Sequence, residues 1–257
     1  MDNFKATQLH TEILKAISEM GFQTPTPIQA KTIPHLMSSN QDLIATAQTG
    51  TGKTAAFGLP SIHLTNIKYN DTQTLVLCPT RELCIQIAKD LAKYSKYLNG
   101  INILAVYGGS DIRAQIKSLN KGAHIVIGTP GRTKDLIKRK KLNIGHIARI
   151  ILDEADEMLT MGFKEDLEMI LSHTPKEKQT LLFSATMSQK VVAITQSYMN
   201  DPLNIAAAQM NITAENVKHV YYMVNAKERY EVIKRIADIN PNIYGIVFCR
   251  TRRETKE

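Results

Sequence analysis

Asp153-Glu154-Ala155-Asp156 closes an apolar run, Ile150-Ile151-Leu152, and an earlier segment reads Ala47-Gln48-Thr49-Gly50-Thr51-Gly52-Lys53-Thr54. A Gly-rich loop between a strand and a helix aims backbone N–H groups at phosphate oxygens, and the helix N-terminus adds a favourable dipole. In that setting Lys53 reaches the β- and γ-phosphates and the Thr54 hydroxyl ligates Mg²⁺. Ala47 stands where the common pattern has glycine. A carboxylate directly after a buried strand suits a cation held beside a triphosphate, which is the role expected of Asp153. Glu154 is expected to orient or deprotonate the attacking water, and Asp156 to make structural links inside the site. An acid-rich helix start alone would also explain these carboxylates, since the dipole favours acids there. Taken together, the two segments point to an ATPase using ATP and Mg²⁺.

The elements that must position these residues follow from apolar periodicity. Short β-branched runs predict strands over Asp42–Ala47, Thr74–Pro79, Asn102–Tyr107, His124–Thr129, Arg149–Asp153, Thr180–Ala185 and Leu203–Ala207. Helical patterns lie between them, among them Lys53–Ile67, Arg81–Leu98, Asp111–Asn120 and Val191–Met199. Several strands are apolar on both faces, as a parallel sheet covered by helices on both sides requires. The expected fold is α/β: a doubly wound, mainly parallel sheet over residues 1–207, with ligands beyond the carboxyl ends of its strands. Residues 208–216 read as a linker. The pattern then restarts with a strand over Val217–Val224, a helix over Lys227–Ile239 and a strand over Tyr244–Cys249, expected to be the beginning of a second, incomplete α/β domain.

Composition narrows the partners. With 32 Lys and Arg against 24 Asp and Glu, the net charge of +8 favours a polyanion, whose phosphates supply most of such affinity. No apolar run reaches the roughly 18 residues of a membrane span, and no signal region opens the chain, so a cytoplasmic location is expected. The 3 cysteines lack metal-ligand spacing. Cys78 and Cys249 sit in apolar runs and read as small buried hydrophobes, and Met158, Met161 and Met169 read as packing. Lys138-Arg139-Lys140-Lys141 stands at a helix end, where cations satisfy the dipole, with a subsidiary part in attracting such a polyanion.

Further motifs stand in order around the phosphate loop. Gly21-Phe22-Gln23-Thr24-Pro25-Thr26-Pro27-Ile28-Gln29 precedes it, with Phe4 upstream; Pro79-Thr80-Arg81-Glu82-Leu83, Gly108-Gly109 and Thr129-Pro130-Gly131-Arg132 follow; then come Ser184-Ala185-Thr186 and Val247-Phe248-Cys249-Arg250-Thr251. In these the chain resembles the DEAD-box RNA helicases over essentially its whole length. The resemblance implies a RecA-like P-loop ATPase domain and a Q motif (residues 4–29) that recognises adenine through Phe4, Phe22, Thr24 and Gln29. It implies nucleotide contacts along the phosphate loop (residues 47–54) and RNA-backbone contacts from Pro79, Thr80, Arg81, Gly108, Gly109, Thr129, Pro130, Gly131 and Arg132. It also implies coupling of hydrolysis to strand separation through Asp156, Ser184, Ala185 and Thr186.

The chemistry agrees with these assignments. A glutamine amide offers one donor and one acceptor edge, matching the N6 and N7 of adenine, so Gln29 should select ATP over GTP. Phe4 is placed either to stack on the base or to tuck against the domain. Arg81 and Arg132 start helices after strands, where exposed N–H groups suit phosphates, and Gly108-Gly109 permits close backbone approach. Such contacts lack base preference; the resemblance implies RNA over DNA, sensed through 2′-hydroxyls. Two other readings are an ATP-gated RNA-binding module without turnover and a DNA translocase of the same superfamily. The resemblance further implies a second RecA-like domain in cis whose arginines stabilise the transition state. Without it the chain is expected to be a weak ATPase that does not unwind; its oligomeric state is unreadable.

Overall fold

Alternation along the strands sets the architecture. In the computed structural model, which describes residues 3–206, 218, 220–251 and 253–256, strands form at β1 (Leu43–Thr46), β2 (Thr74–Leu77), β3 (Ile103–Val106), β4 (Ile125–Gly128), β5 (Arg149–Leu152), β6 (Gln179–Ser184) and β7 (Leu203–Ala206). They make one seven-stranded sheet in the order β3-β4-β2-β5-β6-β1-β7, and every pairing is parallel. The fold is therefore the expected doubly wound α/β sheet, with the predicted strands a residue or two shorter at their ends, except β6, which keeps its length but begins and ends one residue earlier than expected. Ala207 and the linker expected at 208–216 lie outside the described residues.

Neighbouring side chains of a strand point to opposite faces. Accordingly Val76, Ile125, Ile127, Ile151, Leu181 and Phe183 enter one buried cluster, while Leu75, Leu77, Val126, Ile150, Leu152 and Leu182 enter another. The first cluster is closed by α1 (Thr11–Glu19), α2 (Pro27–Ser38), α3 (Lys53–His63) and α4 (Arg81–Tyr94). The second is closed by α5 (Ile112–Leu119), α6 (Pro130–Lys138), α7 (Ala155–Thr160), α8 (Lys164–Ser172) and α9 (Gln189–Tyr198). Burial on both faces explains why these strands read as continuous apolar runs. No helix among the described residues is long and apolar enough to cross a membrane.

Parallel pairing brings all the carboxyl ends of the strands to one rim. Thr46 is level with Ser184, and Leu152 with both Leu77 and Leu182. Hence the segments after β1, β6, β5, β2, β4 and β3 stand side by side in that order. The phosphate loop, Ser184-Ala185-Thr186 and Asp153–Asp156 occupy one half of the rim. Pro79–Arg81, Thr129–Arg132 and Gly108-Gly109 occupy the other.

The chain divides into two compact units, Met1–Met210 and Asn211–Glu257. In the second, α10 (Arg229–Ile239) follows a 3-10 turn at Ala226–Glu228, as the sequence pattern predicts. Neither expected strand forms among the described residues of 217–224 and 244–249. A strand is held by ladder partners, and apolar alternation alone supplies none. Tyr221, Met223, Tyr244 and Phe248 are consequently exposed, and so is Cys249, which the sequence pattern had placed in a core.

Candidate active site

The phosphate loop runs from buried Ala47 to Gly52, which caps α3 at φ 89°; Gly50 also has a positive φ, 79°. The Thr51 hydroxyl donates to the Gln48 carbonyl at 2.8 Å and closes the turn, leaving Gln48, Thr49 and Gly50 exposed. Lys53 is 6% exposed, and its Nζ donates to the Ala47 carbonyl at 3.1 Å, so the ammonium is folded back over its own loop. Thr54, half-buried, follows on the first turn of α3. Gln29, on α2, braces the loop from behind. Its Oε1 accepts from the Thr26 N–H at 2.9 Å and its Nε2 donates to the Gly52 carbonyl at 3.0 Å. One amide hydrogen and one lone pair remain for a base edge. Phe4 is buried against Phe22, ring centroids 6.0 Å apart; Phe22 in turn meets Tyr94 edge-on, and Thr24 is exposed.

Across the rim, the Asp153 N–H donates to the Leu77 carbonyl at 2.9 Å, and its Oδ1 accepts from the Glu154 N–H at 3.1 Å. Asp153 is buried, which pushes its carboxyl up to about 6; Lys53 opposes that shift, while Glu154 and Asp156 add to it. Glu154 adopts φ 53°, ψ 51°, a left-handed conformation costing a non-glycine residue about 1–2 kcal/mol. Such strain collects at functional sites. Asp156 faces the next strand end: its Oδ2 accepts from the Thr186 N–H at 2.9 Å and from its hydroxyl at 2.8 Å. Ser184 Oγ accepts from the Asp156 N–H at 3.3 Å and donates to the Thr186 carbonyl at 2.8 Å. Burial raises the Asp156 carboxyl, but the hydrogen bonds from Ser184 and Thr186 outweigh it and leave it below the usual carboxylate range.

One cavity of about 340 Å³ collects these groups: Thr49, Lys53, Glu154, Asp156 and Ala185 line it, together with Pro79, Thr80, Glu157 and Met161. A larger cavity, about 970 Å³, lies by Asp42 and Thr180 at the opposite ends of the strands and contains none of the predicted site residues. The donor set fits a hard divalent cation beside phosphates. Glu154 and Asp156 line the cavity and their charges bear on Asp153, against that of Lys53, whereas Asp153 and Thr54 themselves are not among the lining residues. Among the described residues no group of three or more His, Cys, Asp or Glu side chains comes together as a metal cage.

On the other half of the rim, Thr80 caps α4, its Oγ1 accepting from the Leu83 N–H at 3.2 Å. The exposed Arg81 guanidinium lies 5.0 Å from the centre of the Tyr107 ring. Gly108 and Gly109 are exposed, the latter at φ 75°. Thr129 and buried Pro130 begin α6, with Gly131 exposed beside Asp166. Arg132 donates to the Gln115 Oε1 at 2.8 Å and the Ser110 carbonyl at 3.2 Å. Lys138 ends α6, with Lys140 (φ 54°) and Lys141 exposed just beyond it.

Comparison with known proteins accounts for this arrangement. The profile described as DEAD/DEAH box helicase matches residues 26–194. The chain belongs to that family. A DEAD-box ATP-dependent RNA helicase CshA of Geobacillus kaustophilus is 46% identical over 257 residues, covering 100% of this chain and 55% of the relative. An ATP-dependent RNA helicase CshA of Listeria monocytogenes is 48% identical over 257 residues, covering 100% and 49%. The crystal structure of a DEAD box protein from the hyperthermophile Methanococcus jannaschii superposes with a TM-score of 0.78 at 43% identity, covering 100% of this chain and 68% of that one. The chain thus spans about half the length of the curated relatives it matches. The sheet and helices are those of the DEAD box RecA-like domain.

Two residues near this family site escaped sequence reasoning. Met161, expected as packing, is 52% exposed and forms one lip of the cavity, because α7 ends one residue before it. Gln115 had no motif to mark it. Its only signal was a polar residue on the inward face of the amphipathic helix α5.

Proposed function

We propose that this chain is the nucleotide- and RNA-binding part of an ATP-dependent RNA helicase. The observation that carries the reading is that Lys53 and Glu154 line one cavity, together with Thr49 and Asp156. The printed names of the relatives, ATP-dependent RNA helicases, support the choice of substrate class.

In this reading the exposed N–H groups of Gln48–Gly52 cradle the phosphates, and Lys53 exchanges the Ala47 carbonyl for the β- and γ-phosphate oxygens. Gln29 uses its remaining donor and acceptor on adenine. Asp153 and the Thr54 hydroxyl would hold Mg²⁺, which would supply neutralisation of charge on the phosphoryl oxygens. Glu154 holds and deprotonates the attacking water from the opposite wall. Asp156 holds Ser184-Ala185-Thr186 against this wall, so movement of the γ-phosphate is felt by the adjacent strand end. Pro79 and Thr80 border the same cavity and begin the RNA-facing half, which gives a short path from nucleotide to RNA. Arg81, Gly108, Gly109 and the segment Thr129–Arg132 contact RNA phosphates and sugars without reading bases.

Asn211–Glu257 is assigned to the start of a second RecA-like domain, and the chain is expected to act in the cytoplasm. Hydrolysis by this chain alone is slow and unwinding absent, because transition-state arginines, worth about 10³–10⁵ in rate, come from that second domain. The test is ATP turnover by the 257-residue chain and by a full-length parent, each with and without RNA. Strong RNA stimulation in the parent and little in the chain is expected. Duplex unwinding by the chain alone would refute the division of labour.

A further inference from the structure

Gln115 lies on α5, outside every motif, yet it is 7% exposed and makes more side-chain hydrogen bonds than any residue around it. Its Nε2 donates to the Tyr107 carbonyl at 3.2 Å and to the Ser110 hydroxyl at 2.5 Å, and its Oε1 accepts from Arg132 at 2.8 Å. These bonds bracket Gly108-Gly109, a segment whose outer side is open: a Cβ added at Gly108 meets nothing within 4 Å. Two adjacent glycines are conformationally free, so the loop's shape depends on what grips its ends. Arg132 grips it too, through the Ser110 carbonyl at 3.2 Å.

We propose that Gln115 is a positioning residue for RNA binding, which locks the Gly108-Gly109 loop and the Arg132 guanidinium into one preorganised phosphate-binding surface. The proposal rests on the RNA reading above. The amide is suited to this task, because it offers two donors to the loop and an acceptor to the arginine at once. A guanidinium has five N–H donors; with two engaged by Gln115 and Ser110, three remain for a phosphate. Glutamate would keep the acceptor but place a carboxylate against the Tyr107 carbonyl. The stack of Arg81 over Tyr107 extends the same network to the third RNA-facing segment.

The experiment titrates a labelled single-stranded oligouridylate with the chain over a KCl series, following anisotropy, and measures fluorescent ADP analogue binding in parallel. Gln115→Ala should weaken RNA binding roughly 5–10-fold at low salt, as loss of hydrogen bonds to a charged group would. It should also flatten the slope of log Kd against log salt by up to about 0.7, one single-strand phosphate contact. Analogue affinity should stay unchanged. In an Arg132→Ala background the same substitution should add less than about twofold, since residues acting through one another are not additive. RNA affinity equal to the native chain's, a full additive loss in that background, or a parallel loss of analogue binding overturns the proposal. If the alanine variant does not fold, Gln115→Glu decides: its retained acceptor should preserve the salt slope while RNA binding falls about threefold from the lost donors. A native chain that binds the analogue but shows no salt-dependent RNA affinity overturns the RNA reading itself.

Discussion

Gly52→Ala is the sharpest structural perturbation of the phosphate loop. At φ 89° an alanine enters the left-handed region, which costs about 1–2 kcal/mol. The added Cβ would lie 2.4 Å from Gln29 Nε2 and 3.1 Å from Thr26 Oγ1. Gln29 is 3% exposed and tethered by the Thr26 N–H, so it has no empty space to swing into. Displacing its amide breaks the bonds to Gly52 and Thr26, worth about 1 kcal/mol each. The sum is about 3–4 kcal/mol; at about 2–4 °C per kcal/mol for a unit of this size, Tm should fall by roughly 6–16 °C. Differential scanning calorimetry reads the shift directly. Gly108→Ala is the control, since its Cβ meets nothing and its φ is ordinary; its Tm should move by no more than about 2 °C, as for neutral surface changes. Equal shifts for the two variants, or a Gly52→Ala melt within 2 °C of the native one, would refute the reasoning that Gln29 buttresses this loop.

Two further outcomes concern packing and pH. A Cβ at Gly128 would stand 2.1 Å from the hydroxyl of Thr133, a buried Oγ1 without a partner, so Gly128→Ala should cost about 1–3 kcal/mol by overpacking. Adding Thr133→Ala should recover most of that in urea melts, and additive losses would contradict the contact. Acidification should also remove the stability contributed by two histidines. Burial, and secondarily the charge of His10, lowers the proton affinity of His63; burial likewise lowers that of His124, against a weaker opposing effect of the Tyr69 carbonyl. Each ring accepts a backbone N–H at Nδ1, from His10 and Asn102 respectively. The unfolded chain therefore binds more protons than the folded one as pH falls through the ordinary histidine value of 6.5; this stability is complete above that value and is lost below it. The buried Asp153 carboxyl, pushed up to about 6, acts in the opposite direction over the same range, so the histidine contribution is read as a difference: from pH 7.5 to 5.5 the native chain should lose Tm relative to a His63→Gln, His124→Gln variant, and parallel profiles would contradict it.

Much of this was readable from residues alone, for physical reasons. Strands buried on both faces announce themselves as unbroken apolar runs such as Arg149–Leu152, and all seven appear where periodicity placed them. The glycines at 50 and 52 and the acids at 153 and 154 are demanded by local geometry and chemistry, so their spacing carries the site. What spacing does not carry is long-range polar contact. Nothing local indicates that the Gln29 amide leans on Gly52, or that Gln115 reaches both Tyr107 and Arg132. Alternation also misleads at 244–249, where no strand pairs among the described residues. Burial is a property of the assembled sheet, which is why Phe4 admitted two placements and Met161 was misjudged.

The most direct test of the central claim is a single-turnover ATP cleavage series on the chain with Mg²⁺ and RNA, in native, Lys53→Ala and Glu154→Gln forms. Two walls of one cavity around the same phosphoryl group require different signatures. Lys53→Ala should raise the ATP concentration at half-saturation about tenfold or more, as loss of a charged phosphate contact does. Glu154→Gln should leave half-saturation nearly unchanged and lower the saturating rate by about 10²-fold or more. Native cleavage by the glutamine variant, or undiminished ATP affinity in the alanine variant, would contradict it.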